Sequence, residues 1–79
     1  MDKRLIRIEW VDAVSHDNPY WFASDEEPLT PSKCYSVGWI VNETEDSIQI
    51  AAHFSEDGEA MCGDICIPRG CITEIIEWN

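Results

Sequence analysis

The sequence predicts an all-β fold: a small five-stranded SH3-like barrel with a long first loop and a 3₁₀ turn before the last strand. Three observations predict it. Apolar residues alternate with polar ones in five segments, turn-forming residues separate the middle three, and no segment carries the 3.6-residue apolar period of a helix. With 79 residues the chain is expected to form one domain, residues 1–79, because a chain this short buries only about 60–65% of its unfolded surface and has room for one core. A net charge of −11 would suggest disorder, but 44% hydrophobic and 10% aromatic residues with only four Gly and four Pro argue for a folded chain.

The first strand is read over Arg4 to Val11, where Ile6, Ile8 and Trp10 share one face and Arg7 and Glu9 the other. From Asp12 to Lys33 the alternation gives way to an irregular loop rich in Ser, Asp, Asn and Pro, closing on Pro28-Leu29-Thr30-Pro31. Roughly 20 residues without regular structure is long for a small domain, and such loops tend to be functional. Cys34 to Val41 resumes as a strand in which Gly38 marks a bulge or a close backbone approach. Asn42 to Asp46 forms a hairpin turn, Ser47 to Phe54 the next strand, and Ser55-Glu56-Asp57-Gly58 a second turn, whose Asp-Gly supplies a positive φ. Glu59 to Ile67 is the fourth strand. Pro68 to Cys71 suits a single 3₁₀ turn, and Ile72 to Trp78 closes the fold.

Trp10-Val11-Asp12-Ala13, Cys34-Tyr35-Ser36-Val37-Gly38-Trp39-Ile40-Val41 and Ile67-Pro68-Arg69-Gly70-Cys71-Ile72 together resemble a family of small bacteriophage proteins. These are packing motifs. The resemblance implies phage origin and a place in the host cytoplasm, and it brings no functional residues to carry over. Consistent with that expectation, the longest apolar runs fall far short of the ~20 residues that span a bilayer. The charged N-terminus passes directly into a strand pattern without the apolar stretch of a secretory signal.

Charge is the main functional clue. There are 16 acids against 5 bases, and Lys3, Arg4 and Arg7 gather at one end, so positions 8 to 79 carry 15 acids and two bases, a net of −13. A small domain needs a magnitude of only about 2–8 for solubility, and the excess costs stability through self-repulsion. Direct nucleic-acid binding is disfavoured, because most of this surface would repel phosphate. The acids cluster as Asp25-Glu26-Glu27, Glu43-Thr44-Glu45-Asp46 and Glu56-Asp57-Gly58-Glu59. Within them Glu43/Glu45 and Asp57/Glu59 stand two residues apart, ~6.6 Å on an extended chain and close to two DNA phosphate steps.

Chemistry-bearing motifs are weak by comparison. Cys62, Cys66 and Cys71 with Cys34 or His53 have the residue types of a zinc site, but Cys62 and Cys66 lie about 13 Å apart along one strand, so buried structural thiols are expected instead. No signature supports a Cys–His nucleophile, a carboxylate pair or a calcium loop. No catalytic residue, metal or cofactor is therefore expected.

Tyr20-Trp21-Phe22 is an apolar cluster inside the polar loop, directly before Asp25-Glu26-Glu27. Consecutive side chains on an extended segment alternate faces, so all three cannot point inward. Either Trp21 plugs one end of the barrel, or the cluster is an anchor for an Arg- or Lys-rich partner. The leading expectation is an acidic, non-enzymatic inhibitor that occupies the basic nucleic-acid-binding surface of a host defence complex, of anti-CRISPR or anti-restriction type. Its contacts would come from Glu43, Glu45, Asp46, Asp57, Glu59, Asp25, Glu26, Glu27 and the three aromatics. An SH3-like peptide- or protein-binding module using Tyr20, Trp21, Phe22 and Trp39 is the alternative, followed by a small-ligand binder or oligomeric enzyme using Cys and His.

Overall fold

The computed structural model describes residues 3–17 and 20–78. Met1, Asp2 and Asn79, and Asn18-Pro19 of the predicted loop, lie outside the described residues. The elements are β1 (Leu5–Asp12), β2 (Ser32–Glu43), β3 (Ser47–Phe54), β4 (Met61–Pro68), a 3₁₀ turn (Arg69–Cys71) and β5 (Ile72–Trp78). All five strands pair antiparallel in one sheet of order β4-β3-β2-β1-β5. β3, the 3₁₀ turn and β5 fall where the alternation and the proline place them. β2 runs two residues further than expected at each end, because it pairs with β1 along one stretch and with β3 along another.

The sheet is open, with β4 and β5 as its edges, so the closure of a barrel is not shown. It is nonetheless strongly curled. In a flat sheet the β4 and β5 edges would stand four strand spacings apart, about 19 Å. Pro68 and Ile72 are joined by only Arg69, Gly70 and Cys71, a link of at most about 14 Å even if fully extended.

Curling places the core. Ile6 and Ile8 of β1, Ile48 and Ile50 of β3 and Ile67 of β4 are buried together, with Trp10, Ile40, Cys71 and Ile72 packed around them. β2 separates β1 from β3 in the sheet, so these isoleucines meet only across its concave side. Each buried isoleucine contributes roughly 1.5–3 kcal/mol. Gly38 lets β2 bend beneath them: a Cβ there would lie 2.9 Å from the Ala51 carbonyl oxygen and 3.2 Å from the Ile50 Cβ. This is the close approach the sequence suggested. Register shifts between Ile40 and Asn42 on β2, and between Glu9 and Trp10 where β1 meets β5, add to the bend.

Among the described residues between β1 and β2, none belongs to this core. Residues 12–15, 17 and 20–31 are exposed, and the molecule measures 54 × 23 × 20 Å. Its radius of gyration is 16.5 Å, against about 12 Å for a compact chain of this length. The loop is an arm. Among the described residues no helix is long and apolar enough to cross a membrane.

Candidate functional site

The two acidic hairpin turns are built differently. Between β2 and β3 the Thr44 hydroxyl accepts from the Asp46 and Ser47 amides (both 3.1 Å), and the Thr44 amide donates to the Ser47 carbonyl at 2.9 Å. The side chains of Glu45 and Asp46 are left on the surface. Arg69 ties this turn to the 3₁₀ turn: its amide donates to the Asp46 carbonyl and its Nε to the Thr44 carbonyl, each at 2.8 Å. Between β3 and β4, Gly58 has φ +75°, as its Asp-Gly context predicts. Asp57 accepts from the Ser55 hydroxyl at 2.6 Å and the Glu59 amide at 2.9 Å. Those bonds, the Ser55 hydroxyl foremost, hold the Asp57 carboxyl below its ordinary pKa.

Glu43 has a framework role. It pairs with Arg4 at 2.9 Å and with Arg69 at 3.3 Å, while Arg4 also holds Glu77. The two carboxylates, Glu77 first, raise the Arg4 pKa. Arg7 pairs with Glu9 at 2.8 Å. Among the described residues, then, the carboxylates in ion pairs are Glu9, Glu43 and Glu77, and they engage all three arginines. Glu45, Asp46, Glu56 and Glu59 are exposed at the turns, with Asp25, Glu26 and Glu27 exposed on the arm.

The turns do not merge into one surface. They cap opposite ends of β3 (Ser47–Phe54), which at ~3.3 Å per residue separates them by about 23 Å. Asp25, Glu26 and Glu27 lie beyond the far end of the β1–β2 ladder, whose last pair is Asp12 with Ser32.

On the arm, Tyr20, Trp21 and Phe22 are 77%, 101% and 52% exposed. Trp21 therefore does not plug the end of the sheet, and the alternative in which it pins the loop to the core is overturned. Local order comes from within the arm. Phe22 meets His16 edge to face at 4.1 Å, and the Glu26 amide donates to the Ala23 carbonyl at 3.2 Å.

The thiols also differ from expectation. Cys62 and Cys66 are exposed and Cys34 and Cys71 half-buried. The reason is the open edge: residues 61–66 of β4 are exposed throughout, and only Ile67 reaches the core. Among the described residues no group of three His, Cys, Asp or Glu is placed to hold a metal ion.

Sequence reasoning missed the convex face of the sheet. Tyr35, Val37 and Trp78 are 66%, 51% and 46% exposed there, on the same face as Leu5, Trp39 and Ile76. A signal was present, since Tyr35, Val37 and Trp39 are apolar at positions that a half-buried strand ordinarily fills with polar residues. No family model, curated protein or solved structure matches this chain.

Proposed function

We infer that the chain is an acidic interaction protein that binds a basic protein surface. In its most specific form it is a phage inhibitor that occupies the nucleic-acid-binding surface of a host defence complex of CRISPR or restriction type. The observation that carries this reading is the division of the acids. Glu9, Glu43 and Glu77 engage the arginines of the framework, which leaves the exposed turn acids Glu45, Asp46, Glu56 and Glu59 to face a partner. Glu43 belongs to the frame of such a surface and Glu45 and Asp46 to its contact. The strand order and the curled sheet support an SH3-like framework.

Binding of this kind is electrostatic and falls with salt, as the screening length shortens from about 30 Å at 0.01 M to about 8 Å at 0.15 M. The test is partner capture from host lysate at low and high salt with the wild type and with a Glu45→Lys, Asp46→Lys, Glu56→Lys, Glu59→Lys variant. The expected result is a loss on the order of a hundredfold in affinity, about 2.7 kcal/mol, with an unchanged circular dichroism spectrum. Unchanged affinity in the folded variant would overturn the reading.

A second reading, a protein-binding module acting through the arm, is favoured by the full exposure of Trp21. Buried aromatics are the commonest energetic anchors of interfaces, and an exposed tryptophan followed by acids is such an anchor without its pocket.

A further inference from the structure

β4 is an edge strand, and its outer backbone groups pair with no other described strand. It runs into the 3₁₀ turn and β5 leaves that turn, yet the two are not paired with each other. The core-facing side of both edges is left uncovered. Ile65 stands opposite Ile50 and Ile75 opposite Ile8, and directly opposed residues share a face of the sheet. Ile50 and Ile8 are buried, whereas Ile65 and Ile75 are 38% and 39% exposed. Ile67, closer to the turn, is buried, so the uncovered flank of β4 runs from Ile65 back to Met61.

Charge of one sign surrounds this edge. The β3–β4 turn, with Glu56, Asp57 and Glu59, leads into its first residue, and Arg69 fastens the β2–β3 turn, with Glu45 and Asp46, beside its last. Asp64 stands between them and accepts from Gln49 Nε2 at 2.8 Å. The nearby bases are Lys3, over the Phe54 ring at 5.0 Å, Arg69, paired with Glu43, and Arg4, paired with Glu43 and Glu77. Glu43 and Glu77 match the two arginines, and Lys3 alone does not offset the six acids.

We propose that β4 accepts a sixth strand from the basic partner: an extended segment with apolar side chains toward Ile65 and Lys or Arg at both ends. Backbone pairing with the edge supplies affinity, and alternate side chains supply selectivity. The added strand covers Ile65 and removes its apolar surface from water. The two turns stand about 23 Å apart, so bases about seven residues apart on an extended segment reach one turn each. Gly63, with φ +68°, bends β4 out of line, and Pro68 has no amide hydrogen to donate, so the new ladder runs along Asp64 to Ile67. Charge selects the occupant. A second copy's β4 brings its own Asp64 and acidic turns, and this chain's arm carries Asp25, Glu26 and Glu27, so both are repelled. The other edge, β5, lacks the paired turns, and its Glu77 is already held by Arg4.

This inference rests on the acidic-surface reading and specifies how the partner is held. Its test is titration of the full chain, at fixed low salt, with a synthetic peptide that carries a lysine pair at each end of an alternating Val–Thr core about seven residues long. Two control peptides replace the lysines by glutamate or methylate alternate backbone amides of the core. The lysine-ended peptide is expected to slow hydrogen exchange at the β4 amides that point away from β3, leaving β5 unchanged. Each control peptide is expected to bind at least about tenfold more weakly, as is the parent peptide to an Ile65→Lys variant whose circular dichroism shows it folded. The peptide controls leave the protein unaltered, so the result stands even where the variant does not fold. Absence of binding, protection on β5 alone, equal binding of either control, or a free chain that self-associates through β4 would overturn the proposal. Equal binding of the methylated peptide means attraction by charge without strand pairing, which leaves the acidic-surface reading standing. That reading is judged separately, by partner capture with the turn reversals.

Discussion

Gly38 is the residue on which the bend of β2 depends. With the Ala51 carbonyl oxygen only 2.9 Å from where a Cβ would stand, Gly38→Ala forces backbone to move and is expected to cost about 1–3 kcal/mol in chemical denaturation. Loss of less than half a kcal/mol would show that the sheet can flatten without penalty. Asp57 makes a second residue-scale case. Because its pKa lies below the ordinary 3.8 in the fold, its contribution is present above the unfolded value and fades as pH falls through the lowered one. Acid titration followed at the Glu59 amide should therefore show a midpoint below that of a free aspartate, shifted up in Ser55→Ala. Both residues are legible in sequence, Gly38 as a glycine interrupting a β-branched run and Asp57 as half of an Asp-Gly turn. Gly63, with φ +68° beside Ala52 and His53, is not, because nothing local distinguishes it from a strand glycine that merely packs.

Strands were readable because alternation is local: each of the five declares its two faces within seven to twelve residues. Closure and thiol burial were not, since both depend on which strands end up at edges, a property of distant pairing. Cys62 and Cys66 sit in an alternating segment indistinguishable from a central strand, yet β4 lies at the border of the sheet. The arm was legible as a loop and its aromatic cluster as a candidate anchor, but how far it projects was not. Because Trp21 is fully exposed, Trp21→Ala is expected to change monomer stability by less than about 0.5 kcal/mol. Ile8→Ala or Ile50→Ala, which empties the concave core, is expected to cost about 2–5 kcal/mol. Thermal or urea unfolding of the three variants separates an interaction element from a packing one.

At the scale of the molecule the −11 charge acts as a field more than as a set of pairs. Self-repulsion among exposed acids should dominate over the few ion pairs of the arginines, so added sodium chloride is expected to raise the melting temperature as screening shortens. A fall would mean that the Arg4 and Arg69 pairs with Glu43 outweigh the repulsion. The sheet order also governs how the molecule comes into being. β1 sits between β2 and β5, and Leu5 pairs with Trp78, so β1 waits for a strand made much later. During synthesis Ile6 and Ile8 have only part of their shelter until β5 emerges, and non-local closure of this kind slows folding. In the growing chain β1 therefore carries one bare backbone edge until β5 arrives to cover it, a template that any other exposed strand could occupy first.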